Sequence, residues 1–562
     1  MKWLRTCILA VAMAVLTAGC ATEEERLTQA FIDQHVSIVD PLRAQTNLTM
    51  YSAEVTGEEK HFAKLKELRL AMNDVYTNDR DFEFLKQMKN SGNVSDHRLR
   101  RQLDKLYLAY LDSQMDEQLL KDIIELSTSI TEKYNNYRGH IDGKEVTMTE
   151  IYRIMTTSKD AQEHRKAWLA SKEVGNVIAD DYLRLVRMRN KAVGQIGYAN
   201  YHTYSLATGE QSVKEVDRIF TELDELTAEP FAKLKAQLDK ILADGYGIRV
   251  EELRPWHYHD PFFQRTPLVY ELNLDDYYAK HDVAGLCVDY FAGVGLPVDD
   301  IMARSDLYDK EGKNPHAFAE DIDRHGDVRI LANIANDERW METTLHELGH
   351  AVYFKYHDPD EPWLLREPAH SFTTEAVAMF FGRMSRNATW MQQMLGLTDS
   401  QRAEVEKVTF RYLQFQQILF ARWAMVMYNF EKAVYADPDQ DLNTLWWDLV
   451  EKYQFVQRPE GKPDAGWASK LHFTVASCYY HNYILGELLA SQWHNYIVRN
   501  IFELESDANV SYVGDDRVGR YFRDEVFGPG AVYHWNEMIL RSTGEHLTPK
   551  YFAEQFIKNT HK

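Results

Sequence analysis

Long stretches of this chain repeat apolar residues at steps of three and four, and almost none alternate them. In "DHRLRRQLDKLYLAYLDSQMDEQLLKDIIELSTSI", Asp96 to Ile130, the residues Leu99, Leu103, Leu106, Tyr110 and Leu111 fall on one stripe. A helix returns to the same face every 3.6 residues, so the stripe predicts an amphipathic helix with that face buried. Val213 to Leu242, Gln401 to Tyr435 and Phe473 to Arg499 carry similar stripes. Strand-like alternation is confined to "DVRILANIA" near Asp327, and "HIDGKEVTM" near His140 reads as a short hairpin. The expected fold class is therefore mainly α, with very little β. No period of solenoid length occurs, and the punctuation at Gly312 to Pro315 and Arg458 to Gly466 reads as loops rather than domain linkers. At 562 residues the chain can bury a large core, and residues 20–562 are expected to form one domain.

The first twenty residues are a separate object. "MKWLRTCILAVAMAVLTAGC" has Lys2 and Arg5, then an apolar run too short to span a bilayer, then small residues. That is the pattern of a secretory signal over residues 1–19. Its ending, "LTAGC", resembles a bacterial lipobox, which implies lipidation of Cys20 and a periplasm-facing place on the outer membrane. Without lipidation the protein would be soluble in the periplasm or secreted. No second apolar run of membrane-spanning length follows, so a lipid would be the sole membrane anchor. The net charge of −22, with no basic block to relieve it, argues against a nucleic-acid partner. Beyond the signal and Cys20 only Cys287 and Cys478 remain, which excludes a disulfide scaffold.

The most informative stretch is "TTLHELGHAVYF", Thr343 to Phe354. Helical residues four apart share a face, so His346 and His350 can present their imidazoles to one ion. Glu347, beside the first, is then suited to take a proton from metal-bound water. Thr343, Thr344, Leu345, Ala351 and Val352 carry no charge, as a buried helix requires. Zinc needs a third protein ligand. Tyr353 and Tyr356 stand where a metzincin carries Gly and His, so that arrangement fails. Glu361, Glu367 and Glu375 follow, with His370 among them. The first two lie in "DEPWLLREPAH", a proline-broken polar stretch where an exposed acid needs no explanation. Glu375 lies in the apolar "SFTTEAVAMFFG", where a carboxylate is costly unless paired or ligating. It is the expected third ligand of a single zinc ion.

With these residues the chain resembles the angiotensin-converting-enzyme type of zinc dipeptidyl carboxypeptidase, a gluzincin family whose third ligand is a Glu some two dozen residues past the second His. Here that step is 25 residues. "HAFA" at His316 to Ala319, "KLHFTVASCYYHNY" at Lys470 to Tyr483, "EVG" at Glu173 to Gly175 and "LWWDLVEKYQ" at Leu445 to Gln454 are similar to further segments of the family. The resemblance implies a two-lobed helical body around a deep central channel, with amino-terminal helices as a lid. It also implies release of C-terminal dipeptides from short peptides. On that reading His316, Ala317 and Ala319 bind substrate, His472 and Tyr483 stabilise the oxyanion, and Lys470 and Tyr480 grip the terminal carboxylate.

Three departures stand out. The Gln that the family adds to the carboxylate grip is missing, because "RPWHYHDPFF" has Tyr258 at its place. Ser171, Val450 and Asn482 replace the arginines that bind activating chloride, so chloride activation of that kind is not expected. Met379 stands where the family has an acid four residues past the ligand Glu, so a partner that orients the ligands must come from elsewhere. Two other readings share many of these residues. One is an oligoendopeptidase of the thimet-oligopeptidase type, similar in "HELGH" and in "RNKAVGQIGYANY". The other is a catalytically silent peptide- or metal-binding lipoprotein. The His316–Ala317 and Lys470–His472 pairs favour the dipeptidyl carboxypeptidase over the first, and Glu347 argues against the second.

Overall fold

The computed structural model describes residues 21–267, 273–462, 464–507 and 510–557. The signal and Cys20 lie outside these residues. The chain is 69% helical with two small strand pairs, in line with the periodicity.

Helices α1 (Glu23–Thr56), α2 (Glu59–Tyr76), α3 (Asp79–Ser91) and α4 (His97–Leu111) open the chain. Thr22 and Glu25 cap the start of α1 reciprocally, and Asn78 and Asp96 cap α3 and α4. These helices have a core of their own, in which Leu85, Leu103, Leu106 and Tyr110 meet Trp363 and Leu364 from the rest of the chain. All five stripe residues, Leu99 to Leu111, are buried. The stretch from Asp96 to Ile130 is not one helix, however. α4 stops at Leu111, and α5 (Glu117–Asn136) begins afresh where the Asp116 carboxylate accepts the Leu119 N–H at 2.7 Å. An aspartate offered as an N-cap breaks a helix without Gly or Pro, so the apolar period runs on across the break.

Strands β1 (Gly139–Ile141) and β2 (Lys144–Val146) form the expected hairpin. Its two turn residues, Asp142 and Gly143, both have positive φ, as a two-residue turn matched to strand twist demands. Helices α6 (Ala161–Gln195) and α7 (Val213–Tyr246) follow. β3 (Phe318–Asp321) pairs antiparallel with β4 (Val328–Leu331). β4 is the strand that alternation predicts; β3, which holds the second half of "HAFA", is an addition. Among the described residues β3 pairs with β4 alone, and its Ala319 N–H is donated to the Glu347 side chain rather than to a third strand. The remaining scaffold is α8 (Glu338–Lys355), α9 (Ser371–Gly382), α10 (Asp399–Ala436), α11 (Leu442–Gln454) and α12 (His481–Tyr496). One large core joins them, with Trp390, Trp423, Trp493 and Trp535 fully buried.

The Val213 and Gln401 stripes are single helices, but the Phe473 to Arg499 stripe is interrupted. His472–Val475 is one isolated turn, Cys478 has φ of 56°, and α12 starts only at His481. The buried Glu431 on α10 stabilises the interruption by accepting the Cys478 N–H at 2.7 Å. Cys287 and Cys478 are both buried and unpaired. Among the described residues no helix is long and apolar enough to cross a membrane.

Candidate metal centre

α8 begins at Asp337, whose carboxylate accepts the Trp340 N–H at 2.8 Å. From there the helix runs inward, and Thr344, Leu345, Ala351 and Val352 are fully buried. Gly349, inside "HELGH", is where α9 crosses. A Cβ there would come within 2.7 Å of the Ala378 backbone, so this glycine sets how closely the two helices approach. That crossing brings His346 and His350 of α8 against Glu375 of α9. His346 Nε2 and His350 Nε2 lie 3.7 and 3.9 Å from the Glu375 carboxylate. One ligand atom from each of the three falls within 4.8 Å of the others.

The chemistry of this group suits a zinc ion. Burial pushes His346 down to about 4 and His350 well below its ordinary value, so both imidazoles are neutral and carry a free lone pair. Burial pushes Glu375 up to about 7, with the Glu487 charge adding to it. Burial, then Glu375 and Glu342, push Glu347 up to about 8, against one N–H donated by Ala319 of β3. Glu342 is raised to about 7, chiefly by burial. Three buried carboxyls and two neutral imidazoles thus share one locality, and a divalent cation would draw the carboxyls back to their ionised forms. Two nitrogens and an oxygen are a ligand set that zinc takes, leaving a fourth position open.

The orienting partner absent from the sequence motif is found next to the ligand itself. Thr374 Oγ1 is 2.7 Å from His350 Nδ1, which fixes which ring nitrogen faces Glu375. Met379 packs instead near Gly486, at the crossing of α12 over α9. Glu487, the next residue, lies in the electrostatic reach of His346 and Glu375 while ion-paired to Arg383 and accepting from Gln417 at 3.1 Å. The competing acids are elsewhere. Glu361 and Glu367 are not incidental exposed acids; they are ion-paired to Arg98 and to Lys105 and Arg324. His370 caps α9 by accepting the Phe372 N–H.

The break before α12 lines up the next four residues. Lys470 Nζ lies 5.3 Å from the Tyr480 ring centre, and Tyr480 stands 5.3 Å from His472 and 5.4 Å from Tyr483. Burial and the Glu375 charge hold the Tyr483 phenol above its usual value, so it remains an O–H donor at neutral pH. Burial and Lys470 push His472 down to about 4, leaving a neutral imidazole that still carries one N–H. Lys470 is buried among Phe262, Trp423 and Tyr480, and burial pushes its ammonium down to about 8.

A glutamine does stand beside Lys470, from a place the motif does not indicate. Lys470 Nζ donates to Gln264 Oε1 at 2.7 Å. Asp260 folds this loop by accepting the N–H groups of Phe262 and Gln264 at 2.8 and 3.2 Å, which carries Gln264 back to the lysine. Tyr258, aligned with the family's glutamine, is turned away and bonded to Lys235 and Asp239. The Asp260 turn was the available signal in the sequence. His316 is exposed, with its N–H donated to Asn314, while Ala317, just before β3, and Ala319, within it, are half-buried. Ser171 bonds the Trp168 carbonyl, Asn482 accepts from Gln211, and Val450 is buried.

The sequence matches the profile of a peptidase family described as angiotensin-converting enzyme over residues 22–254 and 289–554. It is 22% identical over 487 residues to the angiotensin-converting enzyme of Theromyzon tessulatum, which covers 80% of this chain and 78% of that protein. It is 21% identical over 375 residues to an inactive angiotensin-converting enzyme-related protein of Caenorhabditis elegans, covering 59% of this chain and 40% of that protein. With the family matched over most of its length, and with two histidines and a glutamate converging on one point, this chain belongs to the angiotensin-converting enzyme family of zinc metallopeptidases.

Proposed function

We propose that the protein is an active zinc peptidyl-dipeptidase that removes two residues at a time from the carboxyl end of short peptides. The observation that carries this reading is the row of side chains from Lys470 and Gln264, through Tyr480 and His472, to Tyr483 beside Glu375. His346, His350 and Glu375 would hold the metal. A zinc ion bound there would supply Lewis acidity toward the scissile carbonyl and the attacking water.

The protein's own residues do the rest. The Lys470 ammonium and the Gln264 amide bind the terminal carboxylate of the substrate, with Tyr480 beside them. The chain at Ala317 and Ala319, where β3 begins, lies along the substrate backbone, and His316 precedes it. Glu347 takes a proton from water as the oxygen attacks the carbonyl carbon. The Tyr483 O–H and the His472 N–H stabilise the negative charge that develops on the carbonyl oxygen. Glu347 then passes the proton to the leaving nitrogen as the C–N bond breaks, which frees a dipeptide. We expect no chloride activation of the arginine-based kind. We further propose that residues 1–19 are a signal and that Cys20 is lipidated, so that the enzyme works at a bacterial envelope.

Similarity to an inactive relative is the one support for a silent binding protein; the general base Glu347 weighs against it. The test is to measure bound zinc and digest matched peptides with free and amidated carboxyl ends, using wild type and Glu347→Gln. Sequential dipeptides from free ends, with activity lowered by about 10³-fold in Glu347→Gln, are expected. Internal cuts in both peptides would turn the reading to an oligoendopeptidase. No cleavage by zinc-loaded wild type would leave a binding protein.

A further inference from the structure

A second cationic group lies close to the metal ligands, and the proposed reaction does not use it. Arg43 of α1, Lys105 of α4, Arg324 of the β3–β4 turn and Glu367 line two adjoining cavities of about 400 and 280 Å³. The larger also has Thr374 in its wall. Since Thr374 bonds His350 at 2.7 Å, that cavity reaches to within one side chain of the metal ligands.

The charges around it do not balance. Glu367 is shared by Lys105 and Arg324. Glu210 is gripped by both terminal nitrogens of Arg101, with Lys105 4.0 Å away. The cavity lining itself thus sets three cations, Arg43, Lys105 and Arg324, against two carboxylates, Glu367 and Glu210. Burial alone would raise Glu367, yet Lys105, Arg324 and Arg43 hold it down to about 2, so the local field is positive. Among the described residues no hydrogen bond satisfies the buried Nε atoms of Arg43 or Arg324. Glu320 and Asp321 of β3 also lie in electrostatic reach of Arg43 and offset part of that charge, although burial raises both, Glu320 to about 7. The lining therefore carries an excess of cations in a chain of net charge −22. A desolvated guanidinium with unmet donors favours a planar carboxylate, which it can take in bidentate fashion.

We propose that Arg43, Lys105 and Arg324 form a subsite for an acidic side chain, Asp or Glu, within the two residues that precede the scissile bond. The assignment of side rests on the function proposed above. A peptide whose carboxyl end is held at Lys470 and Gln264 directs its amino-terminal part past the metal ligands to the other cationic group. An extended residue spans about 3.3 Å, so the cavity wall at Thr374 falls within the reach of those two positions. Acidic peptides are then favoured and basic ones excluded, by repulsion as well as by lost contacts.

The test uses free-ended peptides that differ only at these two positions, carrying Ala, Glu or Lys. For the wild type, kcat/KM is expected to be about tenfold higher with Glu than with Ala, as one charged hydrogen bond would give, and lower with Lys than with Ala. In Arg43→Gln the Glu-to-Ala ratio falls toward one, and Arg43→Lys restores part of it. The readout is a ratio, so a general loss of folded or active enzyme does not move it. Equal rates on Glu and Ala peptides in the wild type, or an unchanged ratio in Arg43→Gln, would overturn the proposal. Should no peptide be cleaved, the same ratio is read as Kd on the zinc-loaded protein. A tenfold tighter Glu peptide there upholds the subsite while the proposed reaction fails.

Discussion

The two cationic groups near the metal centre carry the same sign of charge and are built on opposite plans. Lys470 is an ammonium among three aromatic rings, bonded to one neutral amide, with Asp260, Arg265 and the buried Lys172 in electrostatic reach. The Arg43 group joins three cations to two carboxylates. A buried ammonium can shed its proton to escape desolvation, and Lys470 is already pushed down to about 8. Guanidinium groups stay charged, and shared carboxylates lower the cost of keeping them buried. One group is therefore a titratable point charge, the other a fixed field.

The strongest way to break that comparison is Lys470→Met. Leaving a substrate carboxylate without its buried partner costs about 3 kcal/mol, so kcat/KM on free-ended peptides should fall about 100-fold. Amidated peptides should lose little, and a loss of equal size on both kinds would refute the assignment. A pH series sharpens the same point. The ammonium is depressed by burial, so it is charged below about 8 and neutral above. The preference for free over amidated ends should be full at pH 7 and fade as pH rises through about 8. The Glu-to-Ala ratio at the Arg43 group should stay flat over the same range. Parallel decay of the two ratios would mean that both preferences depend on one titrating group.

His350 adjoins the Arg43 cavity through Thr374, and Thr374→Val probes it. The substitution keeps the shape and removes the hydroxyl that orients the ring. Zinc affinity is expected to fall about tenfold, as read by competition with a chelator. At saturating zinc both substrate ratios should return to wild-type values. A ratio that stays altered under those conditions would show that Thr374 also contacts the peptide.

What the sequence reveals of this site follows from how local each signal is. His346, Glu347 and His350 need one helical turn, and Glu375 is marked by a carboxylate in an apolar segment; both signals survive without tertiary information. The helical period likewise identifies α7 and α10 from end to end. It fails at Asp116 and at Cys478, where a capping carboxylate and Glu431 take the backbone N–H groups and interrupt an apolar stripe. Gln264 was missed for a related reason. Reading in register from Trp256 assumes that the chain continues straight, and the Asp260 turn folds it back. Thr374 was invisible because a hydroxyl beside a ligand carries no period. Glu361 and Glu367 read as incidental acids because their partners Arg98, Lys105 and Arg324 are distant in the chain.

The smallest expected effect separates charge from closure. Arg98 sits one helical turn before Arg101 on α4 and meets Glu361 through two parallel hydrogen bonds of 2.6 and 2.5 Å. Its side chain is 55% exposed, so the pair is screened by water and salt and is worth only about 0.5 kcal/mol. Arg98→Ala should shift urea unfolding by about that amount, less at high salt, and leave the Glu-to-Ala ratio unchanged. The pair nonetheless ties α4 to the segment that leads into α9. Suppose the ratio did fall in Arg98→Ala with the Arg43 group intact. Acid selectivity would then come from how firmly the amino-terminal helices close over the cleft, and the fixed field at Arg43 would be a consequence of that closure rather than the source of the preference.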